Sequence, residues 1–169
     1  HLLFEAAVAG AIPIVRAVKN SLSGVIVSRV SGILNGTCNY ILSEMRRSGM
    51  SYSDALSQAQ DLGYAEADPT EDVGGADAAA KMAILSSIAF HTRVLIDDVP
   101  YSGIDALQSD DVDIAHELGF VMKLLGVARL VDGAVSVRVH PALVPGDHPL
   151  ASVSGADNAV LLESSMVRQ

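Results

Sequence analysis

One cysteine, no tryptophan and an aromatic fraction of 4% are all that 169 residues supply of these types. Cys38 has no partner for an internal disulfide, which fits a reducing, cytoplasmic setting or a domain large enough to need no staple. It is not expected to be catalytic. With so few rings, platforms on which bases or sugars could stack are not expected. Basic charge is scarce as well: eleven Lys and Arg face twenty Asp and Glu, giving a net charge of -9. Apart from Arg46-Arg47 the basic residues are scattered singly, so no footprint for a phosphate backbone exists and nucleic acid is a poor partner. The longest uncharged apolar stretch, Ala6 to Val15, is far too short to cross a bilayer and is interrupted by Gly10 and Pro13. No basic, apolar and small-residue succession marks a secretory signal. A soluble chain without a membrane span is the expectation. A dinucleotide fingerprint is missing too, because Gly74-Gly75 precede a helix without the G-x-G-x-x-G spacing or a strand-helix-strand frame. His1, His91, His116, His140 and His148 form no ligand pair at helical spacing, and no serine sits in a nucleophile-elbow pattern.

What is present is apolar surface: the hydrophobic fraction is 50%, enough for the core of one domain over residues 1–169. Phe4 to Leu22 carries aliphatic residues at helical spacing, with Pro13 as a kink or restart. Val25 to Val30 is β-branched and predicts a strand that ends near the Gly32 to Gly36 loop. A helix is expected from about Thr37 to Arg47. Another should start at the Ser51 to Asp54 capping arrangement and stop at Gly63. Gly63 to Gly75 has no period and contains Pro69, so it reads as loop. Asp77 to Thr92 is apolar nearly all round and should be a central helix. Ser109 to Gly119 predicts a further helix. Val121 to Val131 and Ala134 to His140 predict a hairpin about the turn Asp132-Gly133, with Val135, Val137 and Val139 on a buried face. A last strand is expected at Asn158 to Glu163. The fold class that follows is α+β: a mostly antiparallel or mixed sheet with helices packed on one face.

The chemistry is concentrated in one window, where Asp61, Glu66, Asp68, Glu71, Asp72 and Asp77 are followed by Lys81 four residues later. Read plainly, the acids are solvated and Asp77 pairs with Lys81 along a helix, worth a few tenths of a kcal/mol. Lys81, however, shares a face with Ile84, Leu85 and Ile88, which should be buried, and a lysine there is costly unless paired or used. A lysine beside a carboxylate can carry a proton for an alcohol-to-carbonyl reaction, and converging acids suit a ligand with an ammonium group. An amino-acid-like alcohol satisfies both. Clustered oxygens also suit Mg²⁺ or Ca²⁺, but Asp68, Glu71 and Asp72 lack calcium-loop spacing, so a metal-dependent enzyme ranks below. A non-catalytic amino-acid-binding or dimerising module is the other alternative, against which Lys81 argues, since a binder of ammonium gains nothing from a cation.

Three stretches carry a resemblance. Gly32-Ile-Leu-Asn-Gly-Thr-Cys-Asn-Tyr-Ile-Leu42, Ala59-Gln-Asp-Leu-Gly-Tyr-Ala-Glu-Ala-Asp-Pro-Thr-Glu-Asp-Val73 and Asp77-Ala-Ala-Ala-Lys81 are similar to the signature of homoserine dehydrogenases, and Phe4 to Val8 and Ile12 to Ile14 also look like that family. The likeness covers about the whole chain. It implies an enzyme interconverting L-aspartate 4-semialdehyde and L-homoserine with NAD(P)H, on the route to threonine, methionine and isoleucine. It implies a substrate pocket lined by Gly36, Thr37, Tyr64, Glu66, Asp72 and Asp77, in which Glu66 and Asp77 chiefly hold the substrate and Lys81 transfers the proton. It implies an alkali cation, Na⁺ or K⁺, on backbone carbonyls of Glu5, Val8, Gly10 and Ile12. By the same resemblance the chain is a substrate-binding and dimerisation domain that pairs as a homodimer. The nucleotide-binding domain, with a second active-site lysine, is absent, so the chain alone should neither bind NAD(P) nor turn over substrate.

Overall fold

The computed structural model describes residues 3–164. From Glu5 to Ile12 the chain runs through turns, with Ala9 at φ 55° and Gly10 at φ 36°. Helix α1 (Ile14–Arg16) begins only after Pro13 and runs into a π-helical turn, Ala17–Ser21. The helix expected from Phe4 is therefore confined to its second half. Glu5 explains the start: its carboxylate accepts from Val15 N at 2.8 Å and from Arg16 N at 3.0 Å, satisfying N–H groups that the first turn leaves unpaired.

Strand β1 (Val27–Ile33) follows, two residues later than expected and running on through Gly32. Helix α2 (Gly36–Ser48) is capped by Asn35 and closed by Gly49 at φ 65°. Helix α3 (Tyr52–Asp61) has Ser51 as its cap, accepting from Asp54 N. Within the stretch read as loop, the chain makes one short helix, α4 (Thr70–Val73). Asp68 accounts for it, accepting from Thr70 N and Thr70 Oγ1 through one oxygen and so tying down the entry to the turn. Helix α5 (Ala76–Ala89) and helix α6 (Ser109–Glu117) come next. Strands β2 (Phe120–Val131) and β3 (Ala134–Pro145) form the hairpin, and β4 (Ala159–Ser164) is the last strand.

The hairpin turns at Asp132 and Gly133, both at positive φ (49° and 82°), as a type I′ turn requires. Strand β3 outruns its expected end at His140 by continuing through Pro141 to Pro145. This is possible because the sheet order is β3-β2-β1-β4, and only an edge strand accommodates proline. All three pairings are antiparallel.

Helices α2, α5 and α6 lie against the sheet. Ala79, Met82 and Leu85 of α5 are fully buried there together with Val30 and Ala128. Helix α5 sits so close to β2 that a Cβ on Gly126 would come within 2.3 Å of Met82 Cγ. Gly126 is the cross-strand partner of Gly32, and it is at Gly126 that the missing side chain admits Met82 of the helix. A second, smaller core lies on Ile33, Val121, Leu125, Val127 and Val144, beneath Leu150 and Ala151 of a short 3-10 turn.

Candidate functional site

The acidic window and its lysine converge on the start of α2. Asn35 organises the junction. Its Oδ1 accepts from Cys38 N at 2.8 Å, which caps α2. The same side chain turns its amide N–H groups outward, donating to Asp72 Oδ1 at 2.6 Å and to Asp77 Oδ2 at 2.8 Å. One planar amide thus sets the spacing of two carboxylates from two different helices.

Asp77 stands in the first turn of α5, where the helix dipole favours negative charge. Its Oδ2 also accepts from Lys81 Nζ at 2.7 Å. Lys81 Nζ donates again to Leu34 O at 3.2 Å, which leaves one of its three N–H groups uncommitted among the described residues. The side chains of Lys81 and Asp77 are 26% and 28% exposed. The expected burial of Lys81 is thus partial: the lysine is paired and anchored, yet a small polar ligand can reach it. Ile84 and Ile88 are likewise half-buried, while Leu85 is fully enclosed, because the Lys81 face of α5 runs along the rim of the core.

Thr37 Oγ1 donates to Tyr64 O at 2.6 Å, and the Tyr64 ring lies 4.8 Å from that of Tyr40. These contacts bring the chain after α3 onto α2 beside Gly36. Gly36 has no room for a side chain, since a Cβ there would meet Ala156 O at 2.6 Å. Glu66 follows Tyr64 on the same exposed segment, whose Glu66 O accepts from Gln60 Nε2 at 3.0 Å. Gly36, Thr37, Tyr64, Asp72, Asp77 and Lys81 are therefore joined by direct contacts or chain adjacency, and Glu66 is held through its backbone. Cys38 lies behind them, donating through Sγ to Asp72 O at 3.2 Å. Burial, reinforced by the fields of Asp72 and Asp77, pushes its thiol far above the usual range, which leaves it an inert core group.

Glu5, Val8, Gly10 and Ile12 all fall in the turn region before α1. The carbonyls of Glu5 and Ile12 accept from Val8 N and Ile14 N, whereas those of Val8 and Gly10 take no backbone N–H among the described residues. Among the described residues no three His, Cys, Asp or Glu side chains are grouped to hold a metal. The facing oxygens of Asp72 and Asp77 are already occupied by Asn35 and Lys81, which counts against the metal-dependent alternative.

The comparisons with known proteins meet this geometry. The family model described as homoserine dehydrogenase matches residues 13–169. This chain belongs to the homoserine dehydrogenase family. It is 57% identical, over 96% of its length, to the homoserine dehydrogenase of Mycobacterium bovis and 51% identical to that of Corynebacterium glutamicum. It spans only 38% of either relative's length. Among solved structures, a homoserine dehydrogenase from Thiobacillus denitrificans superposes with a TM-score of 0.94 at 49% identity, covering 97% of this chain and 38% of that one. A putative homoserine dehydrogenase from Archaeoglobus fulgidus gives 0.90 at 38% identity, covering 98% of this chain and 50% of that one. No helix among the described residues is long and apolar enough to cross a membrane.

Two residues of weight escape a reading of spacing. Asn35 stands in the family-like stretch, but a residue before a helix announces only its backbone-facing oxygen. Lys123 is 2% exposed within β2. Its signal was a lone charge inside the run Phe120 to Val127, which otherwise has the composition of a strand buried on both faces.

Proposed function

We propose that this chain is the substrate-binding and dimerisation domain of a homoserine dehydrogenase that interconverts L-aspartate 4-semialdehyde and L-homoserine. The observation that carries the reading is Lys81, held by Asp77 and Leu34 O with one N–H uncommitted among the described residues, at a partly exposed corner. In the reducing direction the Lys81 ammonium donates a proton to the carbonyl oxygen as that oxygen becomes the alcohol. Asp77 keeps the ammonium aimed, and Glu66, Asp72 and the open oxygen of Asp77 hold the substrate's own ammonium through charge-assisted hydrogen bonds. Gly36, Thr37 and Tyr64 supply the wall.

The hydride for the carbonyl carbon would come from NAD(P)H when bound. The family resemblance leads us to assign the cofactor's binding residues to another part of the enzyme; the three strand pairings described here are antiparallel, unlike the parallel frame of a dinucleotide-binding unit. Val8 O and Gly10 O, which accept from no backbone N–H among the described residues, suit an alkali cation. A homodimer completes the reading.

The test is steady-state kinetics of the full-length enzyme. Lys81→Ala is expected to lower kcat by roughly 10²-fold or more with a smaller change in KM, and Glu66→Ala to act mainly by raising KM. A Lys81→Ala enzyme that folds normally and keeps kcat within a few-fold would return Lys81 to the role of a helix-pairing residue.

A further inference from the structure

Lys123 is the most deeply buried charged side chain of the described residues. Its Nζ donates to Asn39 Oδ1 at 2.8 Å and to Val153 O. Both acceptors are neutral. Among the described residues no carboxylate lies within ion-pair distance of it, although the chain has twenty acids to choose from. The charge that does act on it is another cation: burial first, then the field of Arg46, lowers the Lys123 pKa from 10.5 to about 8.

The space in front of this lysine is a cavity of about 530 Å³ between α2, α6, β2 and the Ser154-Gly155 turn. Titratable and charged side chains from three elements face it: Glu44, Arg46 and Arg47 from α2, His116 from α6 and Lys123 from β2. Glu44 is consumed by Arg47, whose Nη2 lies 2.5 Å from its Oε2. Arg46 and His116 make no side-chain hydrogen bond or ion pair among the described residues, and both also line an adjoining cavity of about 400 Å³. A protein of net charge -9 therefore keeps a cleft in which the two charges left without a counter-ion among the described residues, Arg46 and Lys123, are both cationic.

A buried ammonium is expensive without a counter-charge, and two carbonyl-type acceptors compensate only part of its lost hydration. We propose that this cleft binds a small oxyanion, a carboxylate or phosphate group, whose oxygens bridge Lys123 and Arg46. Lys123 has one donor left, and the planar Arg46 guanidinium offers a fork suited to paired oxygens. Low dielectric around Lys123 strengthens the contact relative to water. The site is separate from the corner formed by Asp77 and Lys81, and it stands independently of the proposed reaction.

The test is isothermal titration of the folded 169-residue chain with sodium phosphate and, separately, sodium acetate, at an ionic strength held constant with sodium chloride. Saturable one-to-one binding of at least one anion is expected, with a dissociation constant around a millimolar or below. Preference for phosphate identifies a phosphoryl ligand, and preference for acetate a carboxylate. Affinity should fall as pH rises through about 8, where Lys123 loses its proton. Lys123→Met should abolish binding. Arg46→Ala, at an exposed position that leaves the core intact, should weaken it about tenfold or more, the scale of one hydrogen bond to a charged group. Arg93→Ala, an exposed cation elsewhere, should leave it unchanged. Absence of saturable binding by both anions, or binding indifferent to Arg46→Ala, would overturn the proposal.

Discussion

Asn35 holds two jobs that make opposite demands on its side chain. Its oxygen must face the α2 backbone and its nitrogen must face Asp72 and Asp77. Only an amide does both, since Asp caps a helix equally well but would add a third carboxylate between two others. Asn35→Asp is therefore expected to keep α2 capped while raising the pKa of the new carboxyl above its unfolded value. A carboxyl raised in this way contributes stability that is complete below the unfolded pKa and is lost as pH rises through the folded one. Chemical denaturation should find the variant near the parent at pH 4 and progressively weaker toward pH 7, by roughly 2 kcal/mol or more. A deficit independent of pH would mean that the amide does not mediate between the carboxylates. The corner proposed as the site was legible to the extent that contacts follow side-chain type and spacing. Asp77 and Lys81 stand four apart on a helix and do meet, whereas the outward half of a cap residue has no periodic or compositional mark.

Among the elements, α5 depends most on what lies opposite it. An apolar helix of small residues carries no directional stripe, so its orientation is decided by where a partner lets it approach. Gly126 provides that place. Gly126→Val should cost about 1–3 kcal/mol, as overpacking does. Met82→Ala should cost about 2–5 kcal/mol through its cavity. The double variant is expected to be more stable than the sum of the two losses, because the new branches occupy the space that Met82 vacates; strict additivity in thermal unfolding would show that the two do not share a contact. Elements with a local cause were readable: Asp132-Gly133 dictates its turn, and Ser51 its helix. Those decided by distant groups were not. Glu5 moves the start of α1 past Pro13 from ten residues away, through a carboxylate that chain order alone does not associate with the backbone it serves; the turn of helix at Thr70 to Val73 has a local cause, Asp68 two residues before Thr70, which the missing period and Pro69 concealed.

At the scale of the molecule, the two faces of the sheet differ in kind. One is covered by helices. The other carries the smaller core and three buried polar atoms without a partner among the described residues, Arg29 Nε, Ser31 Oγ and His140 Nδ1, beside a cavity of about 320 Å³. Such atoms are rare unless something outside the chain satisfies them, and in the proposed homodimer a second copy would supply it. Sedimentation at roughly tens of micromolar, where a real interface should persist, is expected to find the dimer; monomer alone would contradict that assembly. Class and layer order could be read from patterning, whereas these orphaned atoms required coordinates. The outer edge of β3 settles a different matter. Pro141 and Pro145 remove two of its N–H groups, and the segment Pro100 to Ser102 lies along Val139, exchanging Val139 N to Pro100 O and Ser102 N to Val139 O. From Val139 to Pro145 an edge so interrupted is a poor template on which an unfolded or foreign chain could extend the sheet. Polymerisation through that flank is thereby discouraged at the high local concentrations met during synthesis, long before any ligand is at hand.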